Sequence, residues 1–153
     1  MTPLAPGAPL PDLTLDGPEG PVRLHDAAAG GALVIVFYTE DATPTCTAQL
    51  GTFRDDFDLI VEAGASLLAI SADDRTSHDR FRAAQSFPFP LLSDPELRAA
   101  RAFGVIDESG TRSARAVFVA GADRTIGAAL PHYNPANPSQ FQAVFEAIGL
   151  DLS

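Results

Sequence analysis

The sequence predicts an α/β fold in which a sheet is covered by helices on both faces. Short β-branched apolar runs alternate along the chain with amphipathic segments of helical length, the usual pattern of such sheets. The run 32–38 is continuously apolar and too short for a helix, which is typical of a strand buried on both faces. The 153 residues, 46% hydrophobic and 20% charged, suit a single globular domain spanning 1–153.

Turn signals and apolar periodicity predict the elements in chain order. Residues 16–20 are rich in Gly and Pro and predict the turn of an N-terminal hairpin, and residues 121–123 predict a second hairpin turn. Gly64 and Gly104 predict helix ends. The predicted strands are 13–15, 22–24, 34–37, 66–70, 116–120 and 125–130, and the predicted helices are 43–62, 76–84, 95–103 and 139–148.

The clearest local signal is a helix start at Thr43 and Pro44. Thr43 suits the N-cap, and Pro44 suits the first helical position, where a missing N–H costs nothing. Apolar residues then recur at spacings of four, three, four and three, which predicts one continuous helix to about residue 62. These residues are Cys46, Leu50, Phe53, Phe57 and Ile60. Cys46 therefore lies in a first helical turn just beyond a strand's carboxyl end, where open α/β sheets usually place their sites.

Composition excludes several classes of function. Ten Arg and no Lys face twenty Asp and Glu, and the net charge of −10 argues against nucleic-acid binding. The longest apolar run is too short to span a bilayer, and the N-terminal residues lack the features of a signal peptide. We therefore expect a cytoplasmic protein without a membrane partner.

Metal binding is not expected either. His25, His78 and His132 lack the spacing of a metal site and are expected in surface or capping roles. The segment 131–138 can line a pocket or a partner surface, but it is interpreted as a Pro-rich connector.

Cys46 is the one cysteine, so no disulfide can form within the chain. Free N–H groups and the helix dipole stabilise an anion in a first helical turn, which favours a reactive thiolate. Free cysteine is also among the most buried residue types, and Cys46 can equally be an inert member of the apolar stripe. Position alone leaves both interpretations open.

The residues around Cys46 resemble the active-site loop of the peroxiredoxins, whose signature is Pro-x-x-x-Thr-x-x-Cys. They are most similar to the peroxiredoxin Q group, also called bacterioferritin comigratory proteins. The residues that match this group's motif are Phe37, Tyr38, Asp41, Thr43, Pro44, Cys46 and Thr47. Further matches follow in order within 53–55, 71–81, 87–94, 102–105 and 115–118.

The resemblance implies a thioredoxin-like fold with a peroxiredoxin-type N-terminal hairpin and a central mixed sheet. It implies reduction of hydrogen peroxide and organic hydroperoxides without metal or organic cofactor, through a Cys46 sulfenic acid. The Thr43 hydroxyl would bind the peroxide and the sulfur, and Arg115 would stabilise the thiolate and the developing charge. The N–H groups of Thr45 and Cys46 would complete the donors. Thr43 can also be only a helix cap and Arg115 only a surface cation, with Arg112 as a nearby competitor.

Three residues depart from the family motif. Thr39 replaces the signature proline that shields the thiolate, Thr45 replaces a glycine, and Gln49 replaces a glutamate. Gln49 keeps the shape of the glutamate and can still hydrogen-bond an arginine. We expect a working but retuned site.

The resolving cysteine of many relatives is also missing. It lies five residues after the reactive one, where this chain has Gly51. The resemblance therefore implies an external thiol as reductant: thioredoxin, a glutaredoxin or a low-molecular-weight thiol. Relatives occur as monomers and homodimers. The alternative function is a non-catalytic redox sensor or binding module on the same fold.

Overall fold

A computed structural model describes residues 2–150, which form a seven-stranded mixed sheet with helices on both sides. The strands are β1 (Thr14–Gly17), β2 (Gly20–Arg23), β3 (Leu33–Phe37), β4 (Ser66–Ser71), β5 (Leu91–Ser93), β6 (Ala116–Ala120) and β7 (Ile126–Leu130). The helices are α1 (Leu24–Ala27), α2 (Pro44–Asp55), α3 (Phe57–Glu62), α4 (Arg75–Gln85), α5 (Arg98–Phe103) and α6 (Pro138–Ala147).

The strand order is β2-β1-β5-β4-β3-β6-β7. The central strands β3, β4 and β5 are parallel, and the hairpins β1–β2 and β6–β7 extend the sheet with antiparallel pairs. The predicted mixed sheet and both predicted hairpins are confirmed. Within residues 2–150, no helix is both long enough and apolar enough to cross a bilayer.

Side chains of β3 alternate between two cores, one on each face of the sheet. Leu33, Ile35 and Phe37 lie in one core, and Val34 and Val36 lie in the other. The first, which we call the α5 core, also contains Leu24 and Phe103. The second, which we call the Cys46 core, also contains Cys46, Leu50, Ile60, Phe81 and Phe145. Both faces are covered, as the alternation of strands and helices predicts.

The predicted continuous helix over 43–62 is wrong, because Asp56 interrupts it. The backbone of Asp56 (φ −111°, ψ 18°) leaves the helical region and separates α2 from α3. Phe57 nevertheless packs beside Phe89 of the same core, with ring centroids 5.9 Å apart. The apolar spacing runs through the break because both helices turn the same side toward one core.

The predicted start of the fifth helix at residue 95 is also wrong. Helix α5 begins at Arg98, after Leu97 in the left-handed region (φ 58°). The Asp94 carboxylate accepts hydrogen bonds from the backbone N–H groups of Ala99 (3.1 Å) and Ala100 (3.0 Å). Asp94 thus satisfies the free donors of the first turn from outside the helix.

Candidate active site

Cys46 lies in the first turn of α2, reached by the loop that leaves β3. Pro44 is the first residue of α2, as its fixed φ and missing N–H favour. The next turn begins with the bond from the Thr47 N–H to the Thr43 carbonyl, at 2.8 Å. Cys46 is only 1% exposed and packs in the Cys46 core. The predicted position of the thiol, in a first helical turn beyond a strand's carboxyl end, is confirmed.

The sulfur of Cys46 accepts a hydrogen bond from the loop. The backbone N–H of Thr39 lies 3.4 Å from Sγ. Within residues 2–150 it is the one hydrogen-bond donor to this sulfur. Thr39 is half-buried and also lines an open pocket at the surface, so the sulfur lies directly behind one wall of that pocket.

The side chain of Thr43 does not reach Cys46. Its hydroxyl donates to the Glu40 carbonyl at 3.1 Å and accepts no bond from the helix backbone. Thr43 therefore occupies the N-cap through its backbone, and the expected side-chain cap is wrong.

Arg115 lines the same pocket as Thr39. It immediately precedes β6, whose Ala116 pairs with Phe37 of β3, and this register places Arg115 beside the chain that leaves β3. Arg115 and Thr39 line one open pocket of about 480 Å³. Within the described chain, the Arg115 guanidinium makes no hydrogen bond or ion pair. Arg112 instead pairs with Glu40 at 3.2 Å.

Gln49 and Thr45 differ in their surroundings. Gln49 is fully buried, and its Nε2 donates to the Phe37 carbonyl at 3.1 Å, while its Oε1 is buried without a partner among residues 2–150. The expected bond from Gln49 to an arginine is not formed. Thr45 is exposed on the outer side of α2.

The pocket also contains two residues outside the predicted site set, from the segment interpreted as a connector. His132 and Tyr133 line it together with Thr39 and Arg115. The Tyr133 N–H donates to the Arg115 carbonyl at 2.9 Å, and burial raises the pKa of Tyr133 to about 12, so it stays a neutral phenol. His132 and Tyr133 of the segment 131–138 are therefore part of the pocket wall, so the interpretation as a plain connector is wrong for them. Their place depends on pairing with the strand end at Arg115, which local composition does not reveal.

Comparison with known proteins assigns the family. The sequence profile described as AhpC/TSA family matches residues 6–129, most of the chain. The chain belongs to the AhpC/TSA family. A solved structure of peroxiredoxin Q from Xanthomonas campestris is 32% identical, with a TM-score of 0.78 over 96% of this chain and 95% of that one. This chain is therefore a peroxiredoxin of the Q group, as the resemblance around Cys46 predicts.

Two further relatives show how far the likeness extends. Peroxidoxin BcpB from Mycobacterium tuberculosis superposes with a TM-score of 0.85 at 27% identity, covering 95% of this chain and 96% of that chain. This confirms the thioredoxin-like peroxiredoxin fold. Chloroplastic peroxiredoxin Q of Oryza sativa subsp. japonica is 36% identical over 114 residues, which are 74% of this chain and 52% of that protein. The chain thus spans about half the length of the first curated relatives that it matches.

A buried polar network holds the loop of this peroxiredoxin from its other side. The Asp41 carboxylate accepts hydrogen bonds from the Tyr38 hydroxyl (2.5 Å), the Ser77 hydroxyl (2.7 Å) and His78 Nδ1 (2.8 Å). The Asp41 N–H donates to the Asp73 carboxylate at 2.9 Å. His78 is 2% exposed, so its expected surface or capping role is wrong. Its partners come from two other elements of the fold, and no local pattern indicates them.

No group of three or more His, Cys, Asp or Glu side chains in residues 2–150 is arranged to hold an ion.

Proposed function

We propose that this chain is a thiol-dependent peroxidase that reduces hydrogen peroxide and organic hydroperoxides through Cys46. The observation that carries the proposal is a buried cysteine in the first turn of α2, behind the wall of a pocket that also holds Arg115. Family membership supports the same chemistry. We further propose a single cytoplasmic domain over 1–153.

The first step oxidises the sulfur by two electrons. The Cys46 thiolate attacks the distal oxygen of the hydroperoxide, an S–O bond forms and the O–O bond breaks. The products are the Cys46 sulfenic acid and an alkoxide or hydroxide, which takes a proton from solvent and leaves as alcohol or water. A solved relative from Xanthomonas campestris is described for its alkyl peroxide reduction activity, which supports organic hydroperoxides as substrates here.

Arg115 and Thr43 are proposed to act on the peroxide. Arg115 lines the pocket, and its guanidinium has no hydrogen-bond or ion-pair partner among residues 2–150, so we propose that it stabilises the charge on the leaving oxygen. The Thr43 hydroxyl would exchange its bond to the Glu40 carbonyl for one to the peroxide. We propose the free N–H groups of Thr45 and Cys46 as further donors.

The sulfenic acid must be reduced from outside, because these 153 residues contain no second cysteine. An external thiol attacks the sulfenic sulfur, giving a mixed disulfide and water, and a second thiol releases Cys46 as a thiol. Thioredoxin, a glutaredoxin or a low-molecular-weight thiol can supply both. Because Cys46 is only 1% exposed, the start of α2 must open before such a thiol reaches the sulfur. We propose a monomer or a homodimer as the acting species.

Mass spectrometry of Cys46 after peroxide, with and without thiol donors, tests the proposal. We expect one added oxygen on Cys46 without a donor, and continued peroxide consumption with one. Cys46→Ser should abolish both, and Arg115→Ala should slow the oxidation roughly hundredfold, as losing a charge-stabilising donor does in other enzymes. A folded protein that leaves peroxide unconsumed with every thiol donor overturns the proposal.

A further inference from the structure

We propose that the backbone N–H of Thr39 is a catalytic group of this peroxiredoxin, one that stabilises the Cys46 thiolate. The proposal rests on the proposed function and adds a group that a proline at this position lacks. The N–H lies 3.4 Å from Sγ, and the sulfur is buried. A hydrogen bond to the charged form of an ionisable group favours that form, so the Thr39 N–H favours the thiolate over the thiol.

The peptide that carries this N–H is held in place from its other end. The Ser113 hydroxyl, on a side chain 1% exposed, donates to the Tyr38 carbonyl at 2.7 Å. The Tyr38 carbonyl and the Thr39 N–H belong to one planar trans peptide and point in opposite directions. Fixing the carbonyl on Ser113 therefore aims the N–H at the sulfur of Cys46.

The elements on both sides of this peptide are also fixed. The Tyr38 N–H donates to the Ile70 carbonyl at 3.1 Å, which prolongs the pairing of β3 with β4. Two residues after Thr39, the Asp41 N–H donates to the Asp73 carboxylate. The Thr39 N–H is thus preorganised before any substrate arrives, and preorganised donors contribute most to charge stabilisation.

The buried surroundings strengthen this bond. A donor aimed at an anion in a low-dielectric interior is worth more than the same donor in water. The charged and titratable side chains nearby are Arg115, Asp107, Glu108 and His132, which line the same pocket, and the Glu40–Arg112 pair beside the loop. Among residues 2–150, none of them donates to Sγ.

The residue at position 39 changes the chemistry through its backbone. Proline has no N–H, so the signature proline shields the sulfur but donates nothing to it. Thr39 has no such ring, and its backbone N–H is a hydrogen-bond donor that proline lacks. The departure at position 39 thus exchanges an apolar shield for a hydrogen bond to the reacting atom.

Two substitutions at one position separate the N–H from the side chain. Thr39→Ala removes the hydroxyl and keeps the N–H, whereas Thr39→Pro removes the N–H. The measurement is the rate of alkylation of Cys46 by iodoacetamide across pH, with the ultraviolet absorbance of the thiolate as a second readout. We expect the ratio of thiolate to thiol at neutral pH to be roughly tenfold lower in Thr39→Pro than in Thr39→Ala.

Ser113→Ala provides a second test that leaves every N–H in place. Ser113 is a positioning residue, and without its hydroxyl the peptide of Thr39 can rotate away from the sulfur. We expect a smaller drop in the same ratio, roughly threefold. Ser139→Ala, at an exposed serine of α6, is the matched control and should leave the ratio unchanged.

The outcomes decide the proposal in each case. A pH profile that coincides for Thr39→Pro and Thr39→Ala, with both proteins folded by circular dichroism, overturns it. If Thr39→Pro does not fold, Ser113→Ala decides, and a ratio equal to that of the Ser139→Ala control overturns it.

Alkylation uses no peroxide, so these results are independent of the proposed function. A wild-type protein that is inert to peroxide but shows the expected difference between the two Thr39 variants refutes the peroxidase, and with it the catalytic role, but supports the stabilisation of the thiolate by the Thr39 N–H. A wild-type protein that consumes peroxide but shows no difference between them refutes the role of Thr39 alone.

Discussion

The loops that follow β3 and β5 are built from similar parts but serve different ends. Each follows a parallel strand, buries one aspartate, and contains one non-glycine residue in the left-handed region: Asp41 with Ala42 (φ 62°), and Asp94 with Leu97 (φ 58°). Asp94 accepts the backbone N–H groups that begin α5. Asp41 instead accepts only side-chain donors, and α2 begins without any side-chain cap.

The electrostatics of the two carboxylates run in opposite directions. Burial raises the pKa of Asp94, and its backbone hydrogen bonds do not offset this. Burial also acts to raise the pKa of Asp41, but hydrogen bonds from His78, Tyr38 and Ser77 outweigh it, and the pKa lies below its ordinary value. Burial and the Asp41 charge hold the pKa of Tyr38 well above its usual range, so its hydroxyl remains a donor.

The two aspartates stabilise different parts of the fold. Asp94 completes one helix and acts locally. Asp41 joins β3, α4 and, through the bond between His78 Nε2 and the Leu92 carbonyl (3.1 Å), β5. The loop before Cys46 is therefore held by distant elements, while the N–H groups of Thr45 and Cys46 have no hydrogen-bond partner within residues 2–150 and are available to an anion.

The largest expected difference between the loops is in the cost of removing each carboxylate. Asp41→Ala leaves the buried Tyr38 hydroxyl and the His78 ring without their hydrogen-bond partner, at about 1–3 kcal/mol for each group, so we expect a loss of about 3–5 kcal/mol of unfolding free energy. Asp94→Ala removes only a helix cap and costs about 1–2 kcal/mol. Urea denaturation measures both values.

Asp58→Ala, at an exposed aspartate of α3, controls for the loss of one negative charge and should change the unfolding free energy by less than about 0.5 kcal/mol. Equal costs for Asp41→Ala and Asp94→Ala would show that the side-chain network is no stronger than the cap.

The next effect concerns the two left-handed residues. Leu97 is buried in the α5 core, so it tolerates its backbone strain in exchange for apolar burial. Leu97→Ala keeps the strain and loses the burial, and we expect a cost of about 2–3 kcal/mol by thermal or urea denaturation. A cost below that of Asp94→Ala would indicate that the side chain of Leu97 contributes little to this loop.

The two loops also differ in how far the sequence predicts them. Thr43 and Pro44 place the start of α2 correctly, because a helix start is encoded by neighbouring residues. The break at Asp56 is not predicted, because α2 and α3 face the same core and the apolar spacing continues across the break. The buried position of His78 is not predicted, because its partners, Asp41 and Leu92, lie 37 and 14 residues away in the sequence.

The candidate site follows the same rule. Cys46 is predictable from the helix start and the motif, and Arg115 from its spacing to the strand that follows. The hydrogen bond from Thr39 to Cys46 depends on how the peptide between Tyr38 and Thr39 is turned, and a sequence shows only the side chain at position 39. The threonine therefore looks like the loss of a proline, whereas the structure shows a donor in its place.

A smaller effect separates the carboxylates by pH. The folded pKa of Asp41 lies below its ordinary value of 3.8, so its stabilisation is complete above that value and is lost as pH falls through the folded pKa. The folded pKa of Asp94 lies above 3.8, so this carboxylate is protonated at a higher pH in the folded protein than in the unfolded chain. The folded state therefore gains stability as the pH falls toward 3.8.

Unfolding free energies of the wild type and both alanine variants, measured from neutral pH into acid, test these signs. The advantage of the wild type over Asp41→Ala should shrink below about pH 4. Its advantage over Asp94→Ala should instead grow as the pH falls toward that value. Two parallel curves would contradict the opposite electrostatics of the loops.

The smallest effect is expected at Ala42, the exposed counterpart of Leu97. A left-handed backbone costs an L-residue about 1–2 kcal/mol, and Ala42 buries no side chain that offsets it. Ala42→Gly removes this strain but adds about 0.5–1 kcal/mol of chain entropy on folding, so we expect a net gain of about 0.5 kcal/mol. Arg124→Gly, at an exposed residue of similar φ (63°) in the β6–β7 turn, is the matched comparison. A loss of stability in Ala42→Gly, with a gain in Arg124→Gly, would mean that the stiffness of alanine is needed to hold the loop beside Cys46.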